Sequence, residues 1–161
     1  LMVGVVFLIV YSHPATSPVA PAVARLAEPA PDMGLLPPLV DWTLSGGAIE
    51  GHNYVLTPAR PRVTTNGSLT SDLIELPKGA KRLRLDFNVT GVPADGLRYS
   101  ARVLFLRANG TQRKDDLHEY KTFRESAYTI TVPKDATQFR VLFSFTTPVR
   151  LTLLPPSLTV L

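Results

Sequence analysis

The chain has 161 residues, enough for one domain with an appendage, and 45% of them are hydrophobic, so composition excludes a disordered chain. There is no cysteine, which excludes a disulfide framework, a thiolate zinc site and a cysteine nucleophile. The formal net charge of +4 is mild and forms no dense basic stripe, so we expect no nucleic-acid partner.

An uncharged apolar run opens the chain in residues 1–12. It is shorter than the roughly 20 apolar residues that a membrane-spanning helix needs. Two interpretations stay open. The run is either part of a transmembrane helix or the apolar core of a signal peptide, with Ala22-Val23-Ala24 as the cleavage site.

Residues 13–40 form a segment rich in proline and alanine, with seven prolines. Proline fixes φ and removes a backbone donor, so we expect an extended linker that joins no sheet. An apolar segment, a linker and then a folded domain is the layout of a module held off a membrane. The sequence therefore predicts a periplasmic or extracellular, membrane-anchored domain, with a cleaved, secreted form as the alternative.

From Asp41 onward, hydrophobic residues alternate with polar ones, the period of strands with one buried face. The clearest runs are 83–89, 99–105, 128–132 and 138–145, and shorter ones cover 42–50, 69–76, 149–154 and 157–161. Turn residues separate the runs, and no window keeps a helical period. The pattern predicts an all-β domain over residues 41–161, an antiparallel β-sandwich of the jelly-roll kind.

Two segments between the runs carry specific signals. Asn109-Gly110 predicts a hairpin, since both central positions of a type I′ turn need positive φ. The polar stretch 114–125 that follows is predicted to be a loop or a short strand.

The motifs of the domain follow a definite order. The first is Trp42-Thr43-Leu44-Ser45-Gly46-Gly47-Ala48, and then Ser71-Asp72-Leu73-Ile74-Glu75-Leu76-Pro77-Lys78-Gly79 leads into Leu83-Arg84-Leu85-Asp86-Phe87. Tyr99-Ser100-Ala101-Arg102-Val103-Leu104-Phe105 ends at Asn109-Gly110, and Tyr128-Thr129-Ile130-Thr131-Val132-Pro133-Lys134-Asp135-Ala136-Thr137 precedes Phe139-Arg140-Val141. This order, over about 42–161, resembles jelly-roll carbohydrate-binding modules of the family 4/9 type and their galactose-binding-like relatives. The resemblance implies a sandwich fold, a buried Trp42 and a non-catalytic sugar-binding role.

Sugar binding uses an aromatic ring for the C–H face of the sugar and planar polar groups for its hydroxyls. The candidate rings are Tyr99, Tyr120 and Phe123. The candidate polar groups are Arg84, Asp86 and Arg102, which lie at polar positions of two strands and are expected to share one sheet face.

Metal and catalytic signals are weak. The stretch 149–158, where the family often holds calcium with carboxylates, has none. The spacing of Asp115, Asp116, His118 and Glu119 matches no standard metal cage. No nucleophile elbow, zinc motif or phosphate loop is present, so we predict no metal, no cofactor and no enzyme.

Two functions stay open. The first is a carbohydrate-binding-like module that binds a polysaccharide or other glycan and reaches the membrane through its N-terminal segment. The second is a structural or protein-interaction domain of a larger envelope membrane protein, for example a polysaccharide-handling enzyme. An exposed cluster of Tyr99, Tyr120 and Phe123 favours the first, and burial of these rings favours the second.

Overall fold

The structure, a computed structural model, describes residues 29–91, 98–120 and 127–161, without the side chains of 117–120. A single 3-10 turn, Leu39–Asp41, precedes thirteen strands within these ranges. The strands are β1 Thr43–Ser45, β2 Ala48–Glu50, β3 Asn53–Leu56, β4 Thr65–Thr70, β5 Ile74–Glu75, β6 Arg82–Asp86, β7 Val89–Thr90, β8 Arg98–Leu106, β9 Gln112–Tyr120, β10 Ala127–Thr131, β11 Gln138–Thr147, β12 Leu151–Leu153 and β13 Ser157–Val160.

One layer is an antiparallel sheet of six strands in the order β1-β4-β11-β8-β9, with β5 paired to the start of β11. Its centre is the long pair β8 and β11, in register from Gln138 opposite Leu106 to Thr146 opposite Arg98. Buried residues alternate with partly exposed ones along all of β11 and along β8 as far as Phe105. One face of this sheet therefore lines the core and the other faces outward.

The opposite layer is built from two small antiparallel sheets, β10-β6-β13 and β2-β3-β12-β7. They form one continuous layer because β6 leads into β7 and β12 leads into β13. Between them the backbone N–H of Leu154 donates to the carbonyl of Asn88 at 2.9 Å. The predicted all-β antiparallel sandwich is confirmed.

The core lies between the layers and is dominated by aromatic rings. Phe143 and Phe145 on β11 are stacked with centroids 6.3 Å apart. Phe87, between β6 and β7, meets Phe143 edge-on at 5.3 Å and so joins the two layers. Trp42 is buried against Phe143 at 6.2 Å, as the family resemblance implies.

The folded part begins earlier than the predicted residue 41. Met33, Leu36 and Leu39 of the expected linker are buried in the core. Gly34 forms an isolated parallel bridge with Leu158 of β13, flanked by hydrogen bonds of 2.8 and 3.1 Å, so this segment is tied to the edge of a sheet. The proline pattern misleads here because Pro37 and Pro38 lie beyond the bridge, where their missing N–H groups are not needed.

The N-terminal apolar run and most of the predicted linker, residues 1–28, lie outside the described residues, so their predicted roles stay predictions. Within the described ranges, no helix is long and apolar enough to cross a bilayer.

The hairpin predicted at Asn109-Gly110 is confirmed and joins β8 to β9. Its turn is not of type I′, because only Gly110 has positive φ (77°), and Asn109 instead accepts a hydrogen bond from the N–H of Thr111. Of the stretch 114–125 expected to be a loop or short strand, residues 114–120 belong to the nine-residue edge strand β9, paired along β8, and residues 121–125 lie outside the described residues. A hydrophobic alternation could not reveal it, because an edge strand tolerates charge on both faces.

Candidate functional site

The six predicted site residues do not come together in the described structure. Arg84 and Asp86 are on β6, whereas Arg102 is on β8 of the opposite layer. The expectation that these three share one sheet face is therefore wrong. Sequence alternation identifies the polar side of each strand but not the layer to which the strand belongs.

Arg84 and Asp86 engage each other. The Nε of Arg84 lies 2.9 Å from Oδ2 of Asp86, and Nε and Nη2 both donate to Oδ1. This hydrogen bonding, together with the negative charge, raises the pKa of Arg84 above its ordinary value. Both side chains are partly exposed and satisfy each other, so they have less to offer a ligand than unpaired groups would.

Tyr99 is a core residue rather than an exposed platform. Its ring is 4% exposed, stacks on Phe145 at 6.2 Å and meets Phe87 edge-on at 6.0 Å. The backbone of Tyr120 pairs with Tyr99, but the side chain of Tyr120 and all of Phe123 lie outside the described residues. Every aromatic side chain that the structure describes is buried.

The outer face of the six-stranded sheet carries a line of serines that the sequence analysis missed. Ser45, Ser68, Ser144 and Ser100 stand opposite one another on four neighbouring strands, β1, β4, β11 and β8. We call them the serine row. Adjacent members are about 4.8 Å apart, the spacing between strands of a sheet. Four hydroxyls, each able to donate and accept, thus run across the sheet.

A shallow cavity of about 320 Å³ lies over one end of the row. A side chain at Gly67 of β4 would point to the inner side of the sheet, where the Tyr54 hydroxyl and Leu56 fill the space. Beside it, Thr146 donates a hydrogen bond of 2.8 Å to the Asn66 side chain. The lining consists of Ser45, Asn66, Gly67, Ser68, Ser144, Phe145 and Thr146.

The other end of the row is basic. Arg98 and Arg102 stand on either side of Ser100 on the outward side of β8. Nε of Arg102 lies 3.2 Å from Oδ1 of Asp115, yet Nε is buried without a hydrogen bond among the described residues. The two charges are close enough to attract, but the geometry makes no directed hydrogen bond. Arg102 is the one predicted polar site residue that lies on this face.

A second cavity, of about 440 Å³, lies between residues 30–40, which precede β1, and the β2–β3 turn. Its lining is mainly apolar, from Met33, Leu36 and Leu39, with Asp32 and His52 as the ionisable groups. A sugar needs convergent hydrogen-bonding groups, so the outer sheet face is the better candidate for a glycan.

Asp135, between β10 and β11, contacts the two arginines that lie on either side of the β8–β9 turn. Asp135 accepts from Nε of Arg107 at 2.7 Å and from Nε of Arg113 at 2.8 Å. These hydrogen bonds lower the pKa of Asp135 from 3.8 to about 2. All three groups satisfy one another, which indicates a structural clamp. Among the described residues, no group of three or more His, Cys, Asp or Glu side chains is placed to hold a metal ion.

The fold and this face define a class of protein, an antiparallel β-sandwich with a hydroxyl-lined outer sheet. No protein-family model matches the chain, and no curated protein matches it. Its structure is similar to the enzymatically active domain of tailspike protein 4 from bacteriophage CBA120, with a TM-score of 0.53 and 14% identity. That match covers 76% of this chain, which spans only 20% of the tailspike chain.

Two weaker likenesses were also found. TmCBM61, solved in complex with beta-1,4-galactotriose, gives a TM-score of 0.49 at 14% identity over 76% of this chain and 90% of that one. The Gap123 glycosylation-associated complex from Streptococcus agalactiae gives a TM-score of 0.49 at 12% identity, over 75% of this chain and 39% of that one. At such identities the tailspike match supports the shared fold alone, and the resemblance to family 4/9 modules stays a prediction.

Proposed function

We propose that the chain is a non-catalytic glycan-binding module, displayed outside the cytoplasm and held at a membrane by its N-terminal segment. The observation that carries the proposal is the serine row beside its cavity. Sugars present several hydroxyls at short intervals, and a line of side-chain hydroxyls on a rigid sheet can match them with little loss of entropy. Placement outside the cytoplasm rests on the apolar N-terminus and the proline-rich segment alone.

The binding mode would rely on hydrogen bonds more than on stacking, because the described aromatic rings are buried in the core. A net contribution of about 1 kcal/mol for each hydrogen bond predicts weak binding that improves with the number of sugar units contacted. The proposal involves no chemical step.

The test measures binding of the full 161-residue chain to an array of neutral and acidic glycans. A zwitterionic detergent keeps sugar headgroups from competing. The variant Ser68→Ala/Ser144→Ala removes two neighbouring hydroxyls of the row. Because each lost hydrogen bond removes about 1 kcal/mol of binding free energy, we expect this variant to bind roughly 30-fold more weakly.

The matched control is Thr129→Ala/Thr159→Ala, which removes two exposed hydroxyls from the outer face of the opposite layer. We expect the control to bind like the unchanged chain. Equal affinities for the two double variants would mean that the site is not on the serine face.

A second candidate function is a protein-interaction domain. Burial of Tyr99, together with every other described aromatic ring, favours it, since the expected stacking platform is missing from the described side chains. If the unchanged chain binds no glycan of the array, the glycan proposal is overturned and the protein-interaction function remains.

A further inference from the structure

The charged end of the serine row suggests which glycans it takes. From Arg98, Ser100 and Arg102 on β8, we infer that the site takes an acidic polysaccharide, one whose sugar units carry carboxylates. The inference rests on the proposed glycan-binding function and deepens it. It places the carboxylate over Ser100 and the neutral part of the chain along the serine row.

The spacing suits such a subsite. Alternate residues of a strand project from the same face about 7 Å apart, so the two arginine positions flank Ser100 at nearly equal distances. The hydroxyl of Ser144 stands on the next strand, opposite Ser100. An anionic group above Ser100 therefore has two guanidinium groups and two hydroxyls within reach of flexible side chains.

The charge balance of this face also favours an anion. The side chain of Arg98 is exposed and makes no hydrogen bond or ion pair with the described residues. Arg140, on β11 of the same face, has a buried Nε that lacks a hydrogen-bond partner within the described ranges. Asp115 lies against Arg102, and Glu75 on β5 shares this face with Arg140, so three arginines and two carboxylates leave one positive charge in excess on the described part of the face.

A negatively charged residue of β9 lies opposite Ser100 in the pairing of the two strands. Glu119 pairs with Ser100 through the backbone of β9, and its side chain is outside the described residues. Its negative charge would weaken the subsite, whose two arginines remain in place on either side of Ser100.

A carboxylate on a sugar matches the planar guanidinium group, which can donate two parallel hydrogen bonds to it. The hydroxyls beside the arginines favour a polysaccharide over a lipid surface, which would present headgroup charges without the adjoining sugar hydroxyls. Vesicles containing phosphatidylserine are therefore the competing probe.

The experiment compares polygalacturonate with its methyl-esterified form, which keeps the sugar backbone but removes the charge. We expect the unchanged full chain to bind polygalacturonate at least about tenfold more tightly, with an affinity that falls as salt is raised. In Arg98→Gln/Arg102→Gln the preference for polygalacturonate over the ester should disappear.

Arg82→Gln is the matched control, because Arg82 is an exposed strand arginine on the opposite layer. Thermal unfolding of all variants excludes a folding defect. Equal binding to the two forms of the polymer, or a preference that survives the double substitution, would overturn the inference. Tighter binding to the vesicles than to polygalacturonate would overturn it as well.

The two proposals fail in different ways. If neutral glycans bind through Ser68 and Ser144 while the charge on the polymer has no effect, the acidic class is wrong and the glycan-binding function stands. If no glycan binds, the function itself is wrong.

Discussion

Replacing Leu39 tests whether the segment before Asp41 is part of the folded domain. Leu39 is 2% exposed and packs in the core, whereas its neighbour Val40, in the same 3-10 turn, is 65% exposed. Leu39→Ala removes three buried carbons and leaves a cavity, so we expect a loss of about 3 kcal/mol in the free energy of unfolding. Val40→Ala should change it by no more than about 0.5 kcal/mol.

Urea unfolding of the full chain, followed by fluorescence, measures both variants. Trp42 is the only tryptophan of the chain, and its backbone N–H donates to the carbonyl of Leu39 at 3.1 Å, so the probe lies beside the substitution. Equal stabilities for the two variants would refute the assignment of this segment to the core and would restore a linker that ends at residue 40.

Two further predictions concern single positions. Gly67→Ala should lower the free energy of unfolding by about 1–3 kcal/mol through overpacking, because a Cβ there would overlap the Tyr54 hydroxyl and lie 2.8 Å from Leu56 Cδ1. The loss should be smaller in the Tyr54→Phe background, and an equal loss in a urea double-mutant cycle would contradict this explanation. Asp135 has a folded pKa of about 2, lowered from 3.8, so its contribution to stability is present above pH 4 and is lost as pH falls from about 4 to 2. Asp135→Asn should thus lower Tm at pH 7 but not below about pH 2, and a Tm difference that persists in acid would count against the clamp.

The strands of the core follow from the sequence because burial is a local signal there. Residues 99–105 and 138–145 place every second side chain in the core, as their alternation predicts. Strand β9 gives no such signal, because as an edge strand it carries charge at successive positions. The buried segment 33–39 could not be predicted from the sequence for a different reason. Met33, Leu36 and Leu39 are scattered among prolines, and they become part of the core only when the chain is bridged to the distant strand β13 and packed against the assembled sheets.

The candidate site depends on register, which alternation does not determine. Ser45, Ser68, Ser100 and Ser144 are separated by as many as 99 positions along the chain, and each alone reads as an ordinary polar strand residue. They become one row only because β1, β4, β11 and β8 are neighbours in that order. By the same logic Arg102 belongs with Ser100 and Arg98, while Arg84 and Asp86 belong to the other layer. A binding surface on a sandwich is thus a property of strand order, and its chemistry can be read only after the sheets are assembled.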